Sequence, residues 1–381
     1  MREFFYWKVL IQEKYRMEKQ TIVVKIGSSS LTNEYGEIDE KKLSTYVDAI
    51  AKLKKQGHTV VLVSSGAVAA GFKKLGYPNR PVTVKGRQAA AAVGQGLLIQ
   101  AYNEKFQQHD IVAAQILLTR SDFSNRERYR NAFQTMQELL AQQIVPIINE
   151  NDTVSIDELT FGDNDMLSAL VSGFIHANRL IILTDINGIY TDNPLKNPKA
   201  KKYHFIEKIT DEILNQATSE GSHIGTGGMK SKLEAAKTAI SLGVSVFIGK
   251  GEGRYSLAHI LEGKGDGTYI HPRSLESINT NRQWIKLHSK SVAKIYVDKG
   301  AEEAILYHGR SLLPAGIIKV EGEFEKGDVV EVYGKKGLLG KGEVNYSSEE
   351  VKKELKLRKK KKKRSPSIEV IHRNHWVEIS I

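Results

Sequence analysis

The chain has 381 residues, 40% hydrophobic and 26% charged, a balance typical of globular proteins with two or three domains. It contains no cysteine, which excludes a disulfide framework, a thiolate metal site and a cysteine nucleophile. The formal net charge is +12, but residues 352–364 alone hold ten Lys or Arg and one Glu. The basic charge therefore belongs largely to one segment and does not indicate a general nucleic-acid-binding surface.

Residues 1–16 are interpreted as an N-terminal extension. Lys8 interrupts their apolar run and no small-residue cleavage site follows, so a secretory signal is not expected; Met17 is a second candidate start. No apolar run in the chain approaches the roughly 18 residues of a membrane span, so no membrane partner is expected. Together with the absence of cysteine, these features fit a cytoplasmic protein.

From Thr21 onward, short apolar runs alternate with helical patterns. This alternation predicts an α/β fold, a mainly parallel sheet sandwiched by helices. The predicted strands are 21–26, 59–63, 111–118, 144–148, 180–183 and 244–248. The main predicted helices are 39–56, 85–106, 166–176, 208–217 and one that the segment 225–232 leads into and that ends at 242. Polar residues close four of these strands: Lys25, Ser65, Asp152 and Asp185. Because the carboxyl ends of parallel strands share one edge of a sheet, these residues are expected to converge.

The stretch Phe161-Gly-Asp-Asn-Asp165 directly precedes the predicted helix 166–176. Asp163 or Asn164 can cap that helix, and a polar cluster at the positive end of a helix dipole suits an anionic ligand. A plain capped loop is the alternative interpretation of this stretch taken alone.

From about residue 279 the pattern changes to short strands separated by Gly-rich turns. We therefore predict an α/β domain over 17–272, a linker over 273–282 and a small β-rich domain over 283–381. The strands predicted in this second domain are 284–287, 318–320, 329–332 and 368–371.

The polar residues of the first domain suit phosphoryl transfer, which requires positioning and positive charge more than covalent help. Lys25 and Lys232 can supply the charge, and backbone N–H groups at Gly27 and 226–228 can supply hydrogen-bond donors. Asp163 and Asp165 can orient the lysines or coordinate Mg²⁺ through water. No P-loop, nucleophile elbow or metalloprotease motif is present, and no histidine base lies near these segments. A carboxylate acceptor is already deprotonated at neutral pH and needs no base.

Six motifs in order resemble the bacterial glutamate 5-kinases of the amino acid kinase family. They are Val23–Ser28, Ser64–Gly71, Ile148–Asp152, Phe161–Asp165, Leu183–Asp185 and Gly225–Lys232. The resemblance implies ATP-dependent phosphorylation of the L-glutamate side-chain carboxylate to glutamyl 5-phosphate, the first step of proline biosynthesis. It also implies a Mg²⁺-dependent, cytoplasmic homo-oligomer, a dimer or tetramer, that proline inhibits.

The same resemblance implies a role for each matched residue. Lys25 and Lys232 would stabilise the transferring phosphoryl group and Asp165 would hold them. Ser65, Asp152 and Asn164 would bind glutamate. ATP would be bound by Lys25, Thr184, Asp185, Thr226, Gly227, Gly228, Met229, Lys230, Ser231 and Lys232; no residue is assigned as a metal ligand.

The second domain resembles a PUA module, through 311–317, 327–330 and 371–373. Two other functions stay open: a related kinase acting on acetylglutamate, aspartate, carbamate or UMP, and an RNA-binding protein acting through the PUA-like domain. The run Arg358–Arg364 departs from the family. It is interpreted as a solvated loop, with a contact to RNA phosphates or a sequencing artefact as alternatives.

Overall fold

The structure is a computed structural model that describes residues 18–155, 164–192, 197–216, 228–251, 256–271, 291–335, 337–359 and 369–379, with a few single residues between them. It divides into two compact units. One contains the chain up to Asp122 together with Arg130–Ser277, and the other contains Phe123–Tyr129 and Ile278–Ile381. The predicted extension 1–16 and nearly all of the predicted linker 273–282 lie outside the described residues.

In the described residues the first unit is built on an eight-stranded sheet of order β3-β4-β2-β1-β5-β9-β10-β8. The first six strands in this order, β3, β4, β2, β1, β5 and β9, are parallel to one another. β10 is antiparallel to β9, and β8 is parallel to β10. The mainly parallel α/β fold is therefore confirmed. The strands are β1 Thr21–Ile26, β2 Thr59–Ser64, β3 Ala113–Leu118, β4 Val145–Glu150, β5 Arg179–Leu183, β8 Phe205–Ile206, β9 Ser245–Gly249 and β10 Gly267–Ile270. A short antiparallel ribbon pairs β6 Ile189–Tyr190 with β7 Lys202–Tyr203.

Helices connect these strands. Asp39 caps α2 by accepting hydrogen bonds from the backbone N–H groups of Lys41 and Lys42 at 2.9 and 3.1 Å. The helices are α1 Ser28–Leu31, α2 Glu40–Lys55, α3 Ala67–Gly71, α4 Val84–Gln107, α5 Arg120–Ser124, α6 Arg126–Ala141, α7 Asn164–Phe174, α8 Asp211–Gln216, α9 Met229–Ser241 and α10 Ser256–Leu261. None of the described helices is long and apolar enough to span a bilayer.

The alternation of side chains along β1 decides which residues face which layer of helices. Ile22, Val24 and Ile26 enter the core that α2, α4 and α10 cover. Val23 and Lys25 point to the opposite face, where α7 packs against β1, β2, β4 and β5. The first turn of α7 carries Asp165, so the sheet geometry brings Lys25 and Asp165 into the same layer.

The second unit contains, in its described residues, a five-stranded sheet of order β12-β11-β13-β14-β15. Its elements are β11 Ala293–Val297, α11 Lys299–Leu306, β12 Ile317–Glu321, β13 Val329–Gly334, β14 Gly337–Val344, α12 Ser348–Lys359 and β15 Ile371–Glu378. Ile295, Val330 and Val332 are fully buried at its centre. The prediction of a small β-rich second domain is confirmed.

In this unit one strand prediction is wrong, and one loop prediction is wrong in part. Trp284 and Ile285, predicted to begin a strand, are helical. Of the basic run Arg358–Arg364, predicted as a loop, Arg358 and Lys359 form the end of α12, so the loop prediction is wrong for these two residues. A capping box explains where α12 begins: Ser347 N–H donates to Glu350 at 2.8 Å, and Glu350 N–H donates to the Ser347 hydroxyl at 3.3 Å. Residues 360–368 lie outside the described part of the chain.

Candidate active site

The four strands β4, β2, β1 and β5 are neighbours in that order, and all run parallel. Their carboxyl ends therefore meet at one edge of the sheet, at its centre, which is where open α/β sheets bind ligands. A hydrogen bond from Ser65 N–H to the carbonyl of Ile26, at 3.1 Å, ties the end of β2 to the end of β1. The predicted convergence of the strand ends is thus observed. Lys25, near the end of β1, has the ends of β2 and β4 on one side and the end of β5 on the other.

At this edge a buried carboxylate joins two lysines that are distant in sequence. Lys25 Nζ lies 2.5 Å from Asp165 Oδ1, and Lys232 Nζ lies 3.1 Å from Asp165 Oδ2. Lys25 is 2% exposed, Asp165 is fully buried and Lys232 is 8% exposed. Ser231 donates to the same Oδ2 atom at 3.2 Å. The structure therefore brings together the three residues expected to be catalytic.

The charges of this cluster suit an anion. Lys25, Asp165 and Lys232 carry two positive charges and one negative charge in a buried setting, where electrostatic interactions are stronger than in water. Gly27 leaves space beside them, because a Cβ at this position would lie 3.4 Å from Lys25 Nζ. A phosphoryl group at this point would meet ammonium groups contributed by β1 and α9.

On the β2 and β4 side, Asn164 contacts Ser65, and both residues are expected to bind the acceptor. Its Nδ2 donates to Ser65 Oγ at 2.9 Å, to Asn149 Oδ1 at 2.8 Å and to the carbonyl of Ser64 at 3.3 Å. Its Oδ1 is buried and has no hydrogen-bond partner among the described residues. A buried acceptor without a partner is costly, so this atom is a natural contact for a donor on a ligand.

Asp152 lies just beyond β4 in a partly buried position. Burial and the nearby charge of Glu150 raise its pKa to about 6, against the opposing effect of Arg80 and Arg87. A carboxylate with this pKa is largely ionised at neutral pH and can bind an ammonium group. The loop around it is fixed by Ser155, which donates to Glu150 Oε1 at 2.7 Å.

On the β5 and β9 side lie the residues expected to bind nucleotide. Thr184 N–H donates to the carbonyl of Gly249 at 3.0 Å, and its hydroxyl donates to Asp185 at 3.0 Å. Gly228 precedes α9, and Met229, Lys230, Ser231 and Lys232 form its first turn. Lys230 is separated from the lysine cluster: its side chain is 57% exposed and lies 4.0 Å from Glu234. Asp163, Thr226 and Gly227 lie outside the described residues.

Two further residues join this site that the sequence motifs did not assign. Asn149 Nδ2 donates to Gln95 Oε1 at 2.8 Å, which connects α4 to the cluster around Asn164. Asn149 lies within a recognised motif, at the end of a buried strand, and that position could have indicated a role. Gln95 lies in a long helix rich in Ala and Gln, where no pattern distinguishes it from a surface residue.

The described residues offer no ready-made metal site. No group of three or more His, Asp or Glu side chains among them is arranged to hold an ion. Asp165 is already paired with two ammonium groups, so it does not fit the role of a direct Mg²⁺ ligand.

At the central edge of this parallel α/β sheet two lysines share one buried aspartate, an arrangement that suits an anionic ligand. The sequence matches the amino acid kinase family over residues 20–250 and the PUA domain over residues 293–365. The chain belongs to the amino acid kinase family.

Within that family, the chain is similar to glutamate 5-kinase 1 of Bacillus licheniformis, with 62% identity over 363 residues covering 95% of this chain and 100% of the relative. Glutamate 5-kinase 1 of Bacillus subtilis is 59% identical over 363 residues, with the same coverage. Among solved structures, carbamate kinase from Giardia lamblia bound to AMP-PNP aligns with a TM-score of 0.51 and 17% identity, covering 67% of this chain and 99% of that one. This structural likeness supports the fold alone.

Proposed function

We propose that this chain transfers the γ-phosphoryl group of ATP to the side-chain carboxylate of L-glutamate, producing glutamyl 5-phosphate and ADP. This is the activity named for relatives that are 62% and 59% identical and are covered over their full length. The observation that carries the proposal is the pairing of Lys25 and Lys232 on one buried carboxylate at the central edge of the sheet. As a glutamate 5-kinase, the chain would act at the start of proline biosynthesis.

The reaction requires little from the protein beyond positioning of the reactants and positive charge. A carboxylate oxygen of glutamate attacks the γ-phosphorus, the bond from that phosphorus to the β–γ bridging oxygen breaks, and ADP leaves with the electron pair. The acceptor has an ordinary pKa of about 4.3 and is ionised at neutral pH, so no general base is needed. The main obstacle is the approach of two anions, and the ammonium groups of Lys25 and Lys232 reduce that repulsion.

Each side of the site has its own task. Lys25, on the central strand, is placed to contact the group in transit, while Asp165 keeps both ammonium groups in fixed positions. Asp152 and Asn164 Oδ1, which has no hydrogen-bond partner in the part of the chain that the structure describes, accept hydrogen bonds from the substrate ammonium. Thr184 and the first turn of α9 lie on the opposite side and bind the nucleotide.

In the proposed reaction Mg²⁺ is bound by ATP. Its preferred ligands are oxygen atoms, and the phosphates of the nucleotide provide them. Because Asp165 is committed to the two lysines, we assign no direct metal ligand among the described residues.

Three further properties belong to the proposal: inhibition by proline and assembly into a dimer or tetramer, which the resemblance to glutamate 5-kinases implies, and a cytoplasmic location. RNA binding by the second unit is a separate hypothesis. It is favoured by the charge of α12, where Lys352, Lys353 and Lys356 are exposed. It predicts affinity for RNA that falls steeply with salt, which a filter-binding titration would measure.

The experiment that tests the proposed function is a panel of acceptors. ADP release is measured with glutamate, N-acetylglutamate, aspartate, carbamate and UMP, and hydroxylamine traps any acyl phosphate as a hydroxamate. The proposal expects ADP release and hydroxamate with glutamate at a kcat/KM at least about 100-fold above the other acceptors. Comparable turnover of N-acetylglutamate would contradict it, because acetylation removes the ammonium that Asp152 is assigned to bind.

A further inference from the structure

Helix α4 presents two glutamines to the β4 side of the active site. Gln88 and Gln95 are seven residues apart, which places them on the same face of a helix. Gln88 Nε2 donates to the carbonyl of Ser155 at 3.3 Å, and Gln95 Oε1 accepts from Asn149 at 2.8 Å. Both bonds reach the segment that carries Asp152.

The hydrogen bond between Gln95 and Asn149 is part of a row of side-chain amides, and neighbouring hydrogen bonds fix the orientation of each amide. Asn149 Oδ1 accepts from the backbone N–H of Glu150 at 2.9 Å, so Asn149 Nδ2 must face Gln95. Gln95 can meet that donor only with its oxygen. Asn164 donates to the carbonyl of Ser64, so its nitrogen faces the protein and its oxygen faces away.

The amides at the two ends of this row each have one polar atom without a hydrogen bond to a described residue. Asn164 Oδ1 and Gln95 Nε2 are buried, and neither has a hydrogen-bond partner among the described residues. An apolar side chain at position 95 would avoid burying an amide nitrogen that no described residue accepts a hydrogen bond from. What the glutamine does provide is an oxygen that holds Asn149 in the orientation from which it accepts a hydrogen bond from Asn164.

We propose that Gln95 is a positioning residue for the amino acid substrate: through Asn149 it holds the Asn164 amide with Oδ1 presented to the substrate ammonium. The inference rests on the proposed function, since it concerns the glutamate side of that site. It assigns Gln95 an effect on glutamate binding without contact with ATP or with the phosphoryl group.

Methionine at position 95 keeps a similar volume and removes the amide. Gln95→Met is expected to raise KM for glutamate about tenfold, the effect of losing about one hydrogen bond, with kcat and KM for ATP unchanged within about twofold. Its melting temperature is expected to change little, because removing the buried Gln95 amide nitrogen is offset by the loss of the acceptor for Asn149 Nδ2. Gln95→Glu keeps an acceptor for Asn149 and is expected to retain most of the affinity for glutamate.

The matched control is Gln100→Met on the same helix, where an exposed glutamine donates to Glu104 at 2.9 Å. It is expected to leave KM for glutamate unchanged. A purely structural role for Gln95 would give the opposite pattern, a lower melting temperature for Gln95→Met with an unchanged KM, and that result would overturn the inference.

A double-mutant cycle separates positioning from other effects. If Gln95 acts through Asn164, Gln95→Met adds little to the KM of Asn164→Ala, whereas independent effects would multiply. Multiplicative effects would overturn the inference. If Gln95→Met does not fold, the cycle is run with Gln95→Leu. A wild-type enzyme without glutamate-dependent ADP release would instead refute the proposed function, so the two failures are distinguishable.

Discussion

Lowering the pH through 6 is expected to weaken the binding of glutamate, because it protonates Asp152. Burial, and then the charge of Glu150, raise the pKa of Asp152 to about 6, while Arg80 and Arg87 act in the opposite direction. The ionised carboxylate attracts the substrate ammonium and the neutral carboxyl group does not. Free enzyme with a protonated Asp152 is therefore the weak-binding form.

The size of the effect follows from that pKa. A group with a pKa of about 6 is roughly 97% ionised at pH 7.5 and roughly 9% ionised at pH 5, so kcat/KM for glutamate is expected to fall about tenfold. The assay is ADP release at saturating ATP, with glutamate varied at each pH. Asp152→Asn is expected to show a low and nearly flat profile, since an amide does not titrate in this range.

The same group affects stability with a defined sign. The pKa of Asp152 rises from 3.8 to about 6 on folding, so its favourable contribution is fully present below pH 3.8 and is lost as the pH rises through 6. At pH 7.5 the ionised carboxylate then costs up to about 3 kcal/mol, and less because the side chain is partly exposed to solvent. Asp152→Asn is expected to raise the free energy of unfolding by about 1–2 kcal/mol while lowering activity.

Two results would refute this reasoning about Asp152. One is a wild-type kcat/KM for glutamate that stays constant between pH 5 and pH 7.5. The other is an Asp152→Asn variant that shows the same loss of kcat/KM on acidification, which would assign the titration to a different group.

Two further substitutions test the packing and the phosphate space. Gly94→Ala is expected to destabilise the fold by about 3 kcal/mol or more, because its Cβ would lie 1.8 Å from the carbonyl oxygen of Ala67. Gly96→Ala in the same helix meets nothing within 4 Å and is expected to stabilise the fold by about 0.5–1 kcal/mol. Urea unfolding measures both free-energy changes, and equal changes would contradict the packing of Gly94. Gly27→Ala is expected to fold normally and to lower kcat at least about tenfold, because its methyl group occupies the space 3.4 Å from Lys25 Nζ; full activity would show that no phosphate oxygen uses that space.

The strands of the first unit could be predicted because they are continuous buried runs. β4 and β5 are buried at every position, which leaves no solvated face and indicates a sheet covered on both sides. The polar residue that follows each apolar run can also be identified from the sequence. The order β4-β2-β1-β5 could not be predicted from these local patterns, since it depends on pairing between strands that are distant in sequence.

Gln95 and the basic segment show two ways in which a local pattern fails. An inward-facing glutamine in a long helix has the same composition signal as the exposed Gln100, so only the folded structure distinguishes them. The basic run that begins at Arg358 suggests a solvated loop, but α12 continues through Lys359, and Lys, Arg and Leu are good helix formers. The apolar spacing of Val351 and Leu355, which pack on the second core, and the Ser347 capping box were the signals for a helix.

The central claim is that Lys25 and Lys232 act together on the phosphoryl group in transit, and kcat with saturating glutamate and ATP tests it most directly. Lys25→Met and Lys232→Met are each expected to lower kcat at least about 100-fold, with KM for glutamate changed by less than about threefold. Lys237→Met is the control, because this lysine lies on the same helix as Lys232 with its side chain 57% exposed. If either lysine variant keeps a kcat within about threefold of the wild type, the account is contradicted.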